Sequence, residues 1–263
     1  MSLEPHERSV EVGGERARVL EAGSGEPVGF LAGFGGLPRW TPFLTELARK
    51  RRVIAPSLPG FPGAGGHDRL DDIVDWVTAT LDLLDASGAS GGDLVGVSLG
   101  AMLAAEVAAL SRGSVRRLVL VSPLGLFDAA EPTRDVFACT PDQLPALFCA
   151  DPATFAAHTA APEGEDLAEW AIVLTRAAQA AARLLWPLGD RGLAKRLHRI
   201  TAPTLVVSGD ADRILPASYP RRLAAGIRGP KELRAIAGAG HLVDLDAPVP
   251  LATLIEDFLS RGA

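Results

Sequence analysis

The sequence of 263 residues is 48% hydrophobic and 22% charged, with a formal net charge of −6. These values are typical of a globular protein with one large domain and exclude a disordered, fibrous or coiled-coil chain. The longest basic run, Arg49 to Arg52, has only four residues, so the chain offers no extended positive surface to a phosphate backbone. We therefore expect no nucleic-acid partner.

The sequence also indicates where the protein resides and what it lacks. No run reaches the roughly 18 uninterrupted apolar residues of a membrane span. Glu4, Glu7 and Arg8 occupy positions where a signal peptide would be apolar, so we expect a cytoplasmic protein with no membrane partner. The two cysteines, Cys139 and Cys149, are too few for a disulfide framework and are not in metal-ligand spacing. Both are expected to be reduced, and no metal or other cofactor is expected.

Strand-like and helix-like segments alternate along the first half of the chain. Gly13-Gly14 separates two short strands, which predicts a hairpin. Apolar residues from Leu70 to Leu84 recur at helical spacing, and the aspartates at 68, 71, 72 and 75 lie in the first turns, where the helix dipole favours anions. The predicted strands are 9–12, 17–21, 28–32, 53–55 and 94–97, and the predicted helices are 70–84 and 99–110.

The second half begins with a strand at Arg117–Val121, whose nearly continuous apolar run suits a parallel strand covered on both faces. Residues 126–199 show helical segments such as Leu167–Leu185 but no convincing strand. Alternation then resumes with a strand at 204–207, a helix near 218–227, a weak strand at 232–236 and a final helix at 250–258. This order predicts an α/β fold: a mostly parallel eight-stranded sheet with helices on both faces. The sheet domain comprises 1–125 and 200–263, and 126–199 forms an inserted helical cap.

The pattern G-x-S-x-G occurs twice, around Ser90 and around Ser98. A nucleophile elbow needs a strand directly before the serine and a helix directly after it, so that a strained turn holds the hydroxyl above the sheet. Ser98 has both neighbours. Ser90 follows the amphipathic helix and lies in a Ser-Gly loop, where glycine ends the helix. We therefore predict that Ser98 is the nucleophile.

A serine nucleophile needs a histidine base, and the base needs a carboxylate that orients it. Of the five histidines, only His241 lies in a loop after a late strand, at the edge where parallel strands place active sites. His6, His67, His158 and His198 lie elsewhere. The loop after the strand at 204–207 contains two aspartates, Asp210 and Asp212, and either is able to supply the carboxylate.

Three motifs together resemble the alpha/beta-hydrolase family. They are the elbow around Ser98, the G-D-x-D-R-x-x-P loop at 209–216 and the G-x-G-H segment at 238–241, and the resemblance extends over essentially the whole chain. It implies the alpha/beta-hydrolase fold and makes Asp212 the acid, with Asp210 as a turn residue. The elbow supplies the backbone N–H of Leu99 to an oxyanion hole, and the resemblance adds that of Phe34. The family usually has histidine where this chain has Ala32, but a backbone donor does not depend on that side chain.

The serine at the elbow disfavours relatives that hydrolyse epoxides or haloalkanes, because those attack with aspartate. Relatives that cleave carbon-carbon bonds commonly place tryptophan directly after the histidine, whereas Leu242 follows here; Arg176 and Arg183 in the cap keep that activity open for an anionic substrate. Aromatic cap residues favour a moderately apolar small molecule.

The sequence thus predicts a cofactor-independent serine hydrolase of carboxylic esters that forms an acyl-enzyme intermediate on Ser98. Alternatives within the family are hydrolysis of lactones, thioesters or carbon-carbon bonds. A rival from another class is a non-catalytic small-molecule receptor on the same fold. The oligomeric state is left open.

Overall fold

The computed structural model describes residues 3–261, which build one eight-stranded sheet. The strand order across the sheet is β1-β2-β4-β3-β5-β6-β7-β8; β1 and β4 both pair with β2 in antiparallel fashion, and every other pairing is parallel. The prediction of a mostly parallel eight-stranded sheet is confirmed. The strands are β1 (His6–Val12), β2 (Glu15–Gly23), β3 (Pro27–Leu31), β4 (Arg52–Pro56), β5 (Asp93–Val97), β6 (Leu118–Val121), β7 (Thr204–Gly209) and β8 (Lys231–Ile236).

Helices cover this sheet. Every residue of β5 and of β6 is buried, which requires cover on both faces of the sheet. Among residues 3–261, no helix combines the length and the apolar character needed to cross a bilayer. The helices are α1 (Pro42–Ala48), α2 (Ile73–Ser87), α3 (Leu99–Leu110), α4 (Leu144–Phe148), α5 (Pro152–Thr159), α6 (Leu167–Leu185), α7 (Leu193–Arg196), α8 (Tyr219–Gly226), α9 (Val243–Asp246) and α10 (Pro248–Leu259).

Helix α2 begins later than its apolar spacing predicts. The carboxylate of Asp72 accepts the backbone N–H groups of Val74 and Asp75, at 2.7 and 3.1 Å, and so caps the helix at Ile73. The side chain of Asp75 in turn accepts the N–H of Asp72, which completes a capping box. Asp68 and Asp71 therefore precede the helix rather than lie in its first turn. The helix ends at Gly88, in the left-handed conformation expected of a terminating glycine.

Two short helices, α1 and α9, have no counterpart among the predicted elements. Helix α1 has seven residues and α9 has four, so neither is long enough to show a helical period of apolar residues. Helix α1 is nevertheless well marked locally, because Thr41 caps its first turn and a proline occupies its first position. The helix packs against α10 on one side of the sheet.

Residues 126–199, here called the inserted segment, connect β6 to β7. They contain α4 to α7, and no strand lies in this described stretch. An ion pair ties the segment to the sheet domain: Arg196 at the end of α7 donates to both carboxylate oxygens of Glu106 in α3, at 2.5 and 2.6 Å. Glu106 is only 1% exposed. A buried carboxylate with one strong partner makes this contact sensitive to loss of the arginine.

We therefore predict that Arg196→Leu lowers the free energy of unfolding by about 3 kcal/mol, because it leaves the Glu106 charge buried and unpaired. The matched control is Arg49→Leu, which removes an exposed ion pair with Glu46 and is expected to cost at most about 1 kcal/mol. Urea unfolding of both variants measures the difference. Equal losses in the two variants would contradict the interpretation.

Candidate active site

The turn between β5 and α3 holds Ser98 in an unusual conformation. Its φ is 55° and its ψ is −117°, a left-handed region that a residue with a side chain rarely adopts. The backbone N–H of Ser98 donates to the carbonyl of Val121 at the end of the neighbouring strand β6, at 2.8 Å. A strained residue held by its neighbours is typical of a functional turn.

The glycines on either side of this turn permit a close approach of backbone to backbone. A Cβ atom at Gly96 would lie 2.5 Å from the carbonyl oxygen of Gly100, and one at Gly100 would lie 2.3 Å from that of Leu31. No side chain fits at either position without moving the backbone. The spacing G-x-S-x-G therefore reflects steric necessity around Ser98.

The second G-x-S-x-G serine has a different environment. Ser90 is exposed in the loop after α2, and its backbone N–H donates to the carbonyl of Leu84 in the last turns of that helix. No strand precedes it. The structure thus separates the two motifs in the way that their sequence contexts indicate.

Three side chains from separate loops meet at the carboxyl edge of the sheet. His241 Nε2 lies 2.8 Å from Ser98 Oγ, and His241 Nδ1 lies 2.9 Å from Asp212 Oδ2. Asp212 follows β7, and His241 follows β8. Ser98 and His241 are fully buried. The chain Ser–His–Asp has the geometry in which the histidine can take the serine proton while the aspartate orients its ring.

Asp212 is held by its own loop. Its Oδ1 accepts the backbone N–H groups of Ile214 and Leu215, at 2.8 and 3.0 Å. Burial favours a higher pKa for Asp212, but the charge and hydrogen bond of His241 and the two amides outweigh it and leave the pKa below its usual value. The carboxylate is therefore ionised and faces the histidine.

The alternative aspartate has another partner. Asp210 Oδ1 accepts the backbone N–H of Gly238 at 2.7 Å, so it ties the loop after β7 to the loop that carries His241. It bonds a backbone amide, as a turn residue would, but the amide belongs to a neighbouring loop. The structure brings Asp212 and not Asp210 to His241.

The remaining histidines of the interior are engaged elsewhere. His158 in α5 is buried with its Nε2 3.4 Å from the carbonyl oxygen of Gly36, and burial lowers its pKa to about 4. His67 packs against Gly60, and burial likewise lowers its pKa. Within residues 3–261, neither histidine forms a hydrogen bond with Ser98.

The loop after β3 lies beside the elbow. The N–H of Gly36 donates to the carbonyl of Gly33 at 3.0 Å, and Gly35 has a φ of 87°, so residues 33–36 form a tight turn that leaves the Phe34 N–H outside the turn's own hydrogen bond. A Cβ at Gly33 would lie 3.2 Å from that of Ser98. Leu99 is the first residue of α3, so its N–H has no acceptor within the helix.

Aromatic rings of the inserted segment reach this site. Phe148, at the end of α4, stacks on Phe34 with ring centroids 4.6 Å apart and lies 6.0 Å from the His241 ring. Phe155 stacks on its other side at 5.0 Å. The carbonyl of Phe148 also accepts the N–H of Leu242 at 2.8 Å. The inserted segment therefore contacts both the predicted oxyanion loop, residues 33–36, and the loop of residues 237–242 that carries His241, here called the histidine loop.

Arg176 and Arg183, the two candidate partners of an anionic substrate, lie on the outside of α6. Arg183 donates to the carbonyl of Leu70 and to the carboxylate of Asp71, at 2.7 and 2.6 Å, and its side chain is 39% exposed. Arg176 is exposed near the loop at residues 60–65. Arg183 therefore binds the segment to the sheet domain.

Comparison with known proteins agrees with this architecture. The model of the alpha/beta hydrolase family matches residues 30–254. The chain belongs to the alpha/beta hydrolase family.

A "2-hydroxymuconate semialdehyde hydrolase" from Pseudomonas sp. (strain CF600) is 28% identical over 97% of this chain and 94% of its own length. A "2-hydroxy-6-oxo-2,4-heptadienoate hydrolase" from Pseudomonas putida is 28% identical over 96% of both chains. The solved structure of a bacterial membrane phospholipase A is 22% identical, covers 98% of this chain and 86% of its own, and has a TM-score of 0.80.

These findings show a hydrolase-family chain and shift the balance between the alternatives. The sequence alone placed ester hydrolysis first and carbon-carbon bond hydrolysis second, mainly because Leu242 follows His241. These two curated relatives are named as hydrolases of a semialdehyde and of an oxo-dienoate, not of an ester, and align over nearly their full length. They support the second alternative better than the first.

Two acidic residues of this alpha/beta hydrolase were missed by the sequence analysis. Asp244 and Asp246 lie in α9, directly after His241, and no spacing rule distinguishes them from surface aspartates. Asp246 bonds to backbone amides, as described below. Asp244 is buried, and within residues 3–261 its Oδ1 has no hydrogen-bond partner. Burial raises the pKa of Asp244 to about 7, against the opposing charge of His241 and the reinforcing charge of Asp246.

Asp244 should make stability depend on pH. In the unfolded chain its carboxyl ionises near pH 4, whereas the folded protein holds the proton up to about pH 7. Between pH 4 and pH 7 the folded state therefore binds more protons than the unfolded state, so the free energy of unfolding falls as the pH rises. Asp244 destabilises the fold most above pH 7. We expect Asp244→Asn to match the wild-type melting temperature near pH 4 and to exceed it progressively up to pH 7.

Thermal unfolding followed by circular dichroism at several pH values measures this difference. Asp82→Asn, at an exposed position of α2, is the control and should give a difference that is constant over the same range. A constant difference for Asp244→Asn as well would show that Asp244 is ionised in the folded protein.

Proposed function

We propose that this chain is a serine hydrolase that breaks a bond at a carbonyl carbon through an acyl-enzyme on Ser98. The observation that carries the proposal is the continuous hydrogen-bonded chain from Ser98 through His241 to Asp212, with distances of 2.8 and 2.9 Å. A serine hydroxyl becomes nucleophilic only when a base within hydrogen-bond reach accepts its proton. The strained turn at Ser98 holds its hydroxyl in a fixed position relative to His241.

The proposed reaction has two halves. Ser98 Oγ attacks the carbonyl carbon while its proton passes to His241 Nε2, and the ionised Asp212 stabilises the resulting imidazolium. The N–H groups of Phe34 and Leu99 are proposed to stabilise the oxyanion. Collapse breaks the bond to the leaving group, which takes the proton from His241. Water, deprotonated by the same histidine, then attacks the acyl carbon and releases Ser98 with its proton restored.

For the bond that is broken, we propose a carbon-carbon bond of a conjugated oxo-dienoate as the first candidate. The support comes from the two curated relatives, which are named as hydrolases of such compounds and align over nearly the whole chain. A carbon-carbon bond can be hydrolysed in this way only if the departing carbon keeps the electron pair of the broken bond and a conjugated carbonyl group delocalises that pair. This requirement restricts the substrate class to activated dicarbonyl compounds.

Carboxylic ester hydrolysis is the second candidate, favoured by the apolar surroundings of the site. The rings of Phe34, Phe148 and Phe155 stack beside His241, and Leu242 follows the histidine. Arg183 is engaged by Leu70 and Asp71. A neutral ester needs no cationic partner, so this environment suits an apolar acyl or alcohol group. The inserted segment, which packs over the site through Phe148, is proposed to act as the cap that sets substrate size.

The decisive experiment compares the wild type with Ser98→Ala and with the matched control Ser90→Ala, which changes the serine of the other G-x-S-x-G. We expect the wild type to turn over either a 2-hydroxy-6-oxo-dienoate, whose absorbance measures the rate, or members of a series of esters of increasing chain length. Ser98→Ala should lower kcat by at least about 10⁴-fold, and Ser90→Ala should leave it unchanged. A fluorophosphonate probe should label Ser98 in the folded wild type.

The outcomes separate the candidates. Preferential turnover of the dienoate supports the first, and preferential turnover of esters supports the second. Turnover that persists in Ser98→Ala, or a folded protein in which the probe leaves Ser98 unlabelled, overturns the proposal. Stabilisation by a small molecule without turnover, unchanged by Ser98→Ala, would indicate the receptor.

The arginine contacts give a further prediction. Because the Arg183 guanidinium is engaged by Leu70 and Asp71, Arg183→Ala should leave KM for an anionic dienoate within about twofold of wild type and cost at most about 1 kcal/mol of stability. Steady-state kinetics with the dienoate and with a neutral ester provide the measurement. A rise in KM of tenfold or more for the dienoate alone would place Arg183 at the substrate.

A further inference from the structure

The carboxylate of Asp246 joins two segments that are far apart in sequence. Its Oδ2 accepts the backbone N–H of Gly240 at 2.7 Å and that of Ala150 at 2.8 Å. Gly240 directly precedes His241, and Ala150 lies between α4 and α5 in the inserted segment. One oxygen atom therefore binds both the histidine loop and the inserted segment.

The two segments touch at this point. A Cβ atom at Gly240 would lie 2.8 Å from the backbone nitrogen of Ala150 and 3.0 Å from the carbonyl carbon of Cys149. On the other side of the histidine, the N–H of Leu242 donates to the carbonyl of Phe148. The residues before and after His241 are thus both tied to residues 148–150, and the Asp246 carboxylate supplies one of the two ties.

The two amide contacts of Asp246 are short. At 2.7 and 2.8 Å they lie at the short end of the range for N–H···O hydrogen bonds. Burial, followed by the charges of Asp246 and Asp244, raises the pKa of the adjacent Cys149 thiol, which therefore remains protonated beside the carboxylate. Within residues 3–261, no basic side chain forms an ion pair with Asp246. Its described polar contacts are thus the amides and the thiol that surround the histidine loop.

We propose that Asp246 is a positioning residue for His241. Its carboxylate holds the histidine loop against the inserted segment, so that His241 Nε2 stays within hydrogen-bond distance of Ser98 Oγ while Nδ1 stays on Asp212. The inference rests on the proposed function, in which His241 is the base for Ser98. It adds that the base depends on the inserted segment for its position.

This role predicts a specific kinetic effect. A displacement of about 1 Å at a reacting group can lower the rate of the chemical step about 100-fold without loss of substrate contacts. Asp246 does not touch Ser98 or Asp212 in the described hydrogen bonds, so its loss should act on kcat rather than on KM. The amides it binds require only an acceptor oxygen, which asparagine retains.

The test uses Asp246→Ala, Asp246→Asn and the matched control Asp151→Ala. Asp151 caps α5 in the same segment by accepting the N–H of Ala153, and in the described residues its side chain forms no hydrogen bond with the loop of His241. We expect Asp246→Ala to lower kcat about 10- to 100-fold with KM within about threefold, and Asp246→Asn to recover most of the loss. Asp151→Ala should lower the melting temperature without changing kcat.

A second measurement needs no substrate. The proton between His241 Nδ1 and Asp212 should give a low-field NMR signal in the free wild-type protein. We expect this signal to shift or broaden in Asp246→Ala and to persist in Asp246→Asn and Asp151→Ala. An unchanged signal and unchanged kcat in folded Asp246→Ala would overturn the inference, as would an equal loss of kcat in Asp151→Ala.

The two measurements keep the inference separate from the proposed function. If Ser98→Ala retains turnover, the proposed function fails whatever Asp246 does. If the wild type turns over no substrate but the histidine signal responds to Asp246→Ala and not to Asp151→Ala, the positioning role stands without the proposed reaction.

Discussion

A serine held with a positive φ at the end of a fully buried strand is the constraint on which the rest of this structure depends. The turn between β5 and α3 is strained at Ser98, and a strained residue persists only where its surroundings determine its conformation. Here the backbone of β6 accepts the serine N–H, and the approach of Gly100 to β3 leaves no space for a side chain. The parallel centre of the sheet therefore serves to present one hydroxyl group.

The histidine is held in a different way. His241 lies in a loop rather than at a strand end, and the contacts that fix it come from three separate parts of the chain: the loop after β7, helix α9 and the inserted segment. The contacts from the loop after β7 and from the inserted segment are distant in sequence, whereas Asp246 in α9 lies only six residues from Gly240. Consequently the backbone hydrogen bonds of Ser98, the proposed nucleophile, all come from the sheet domain, whereas the loop of His241, the proposed base, is contacted both by the sheet domain and by residues 148–150.

This difference explains how much of the molecule is predictable from its sequence. Helices α3 and α6 have the predicted bounds, and the strands lie where apolar runs predict them, because these signals are local. Ser98 is identifiable from its flanking strand and helix. Asp246 and Phe148 are not, because their roles arise from contacts across about 100 residues of chain. The choice between Asp210 and Asp212 likewise required the family resemblance, since both are loop aspartates.

The bond that is broken also depends on the contrast between the sheet domain and the inserted segment. A serine, a histidine and an aspartate in this geometry can attack any accessible carbonyl carbon, so the triad does not distinguish an ester from an activated ketone. The distinction depends on groups that surround the leaving group, and we propose that the inserted segment supplies them through Phe148, which stacks on Phe34 and Phe155. The carbonyl of Phe148 also accepts the N–H of Leu242, so the proposed cap and the loop of His241 share a backbone hydrogen bond. In the proposed reaction, substitutions at residues 148–150 are therefore expected to affect both the substrate fit and the position of His241.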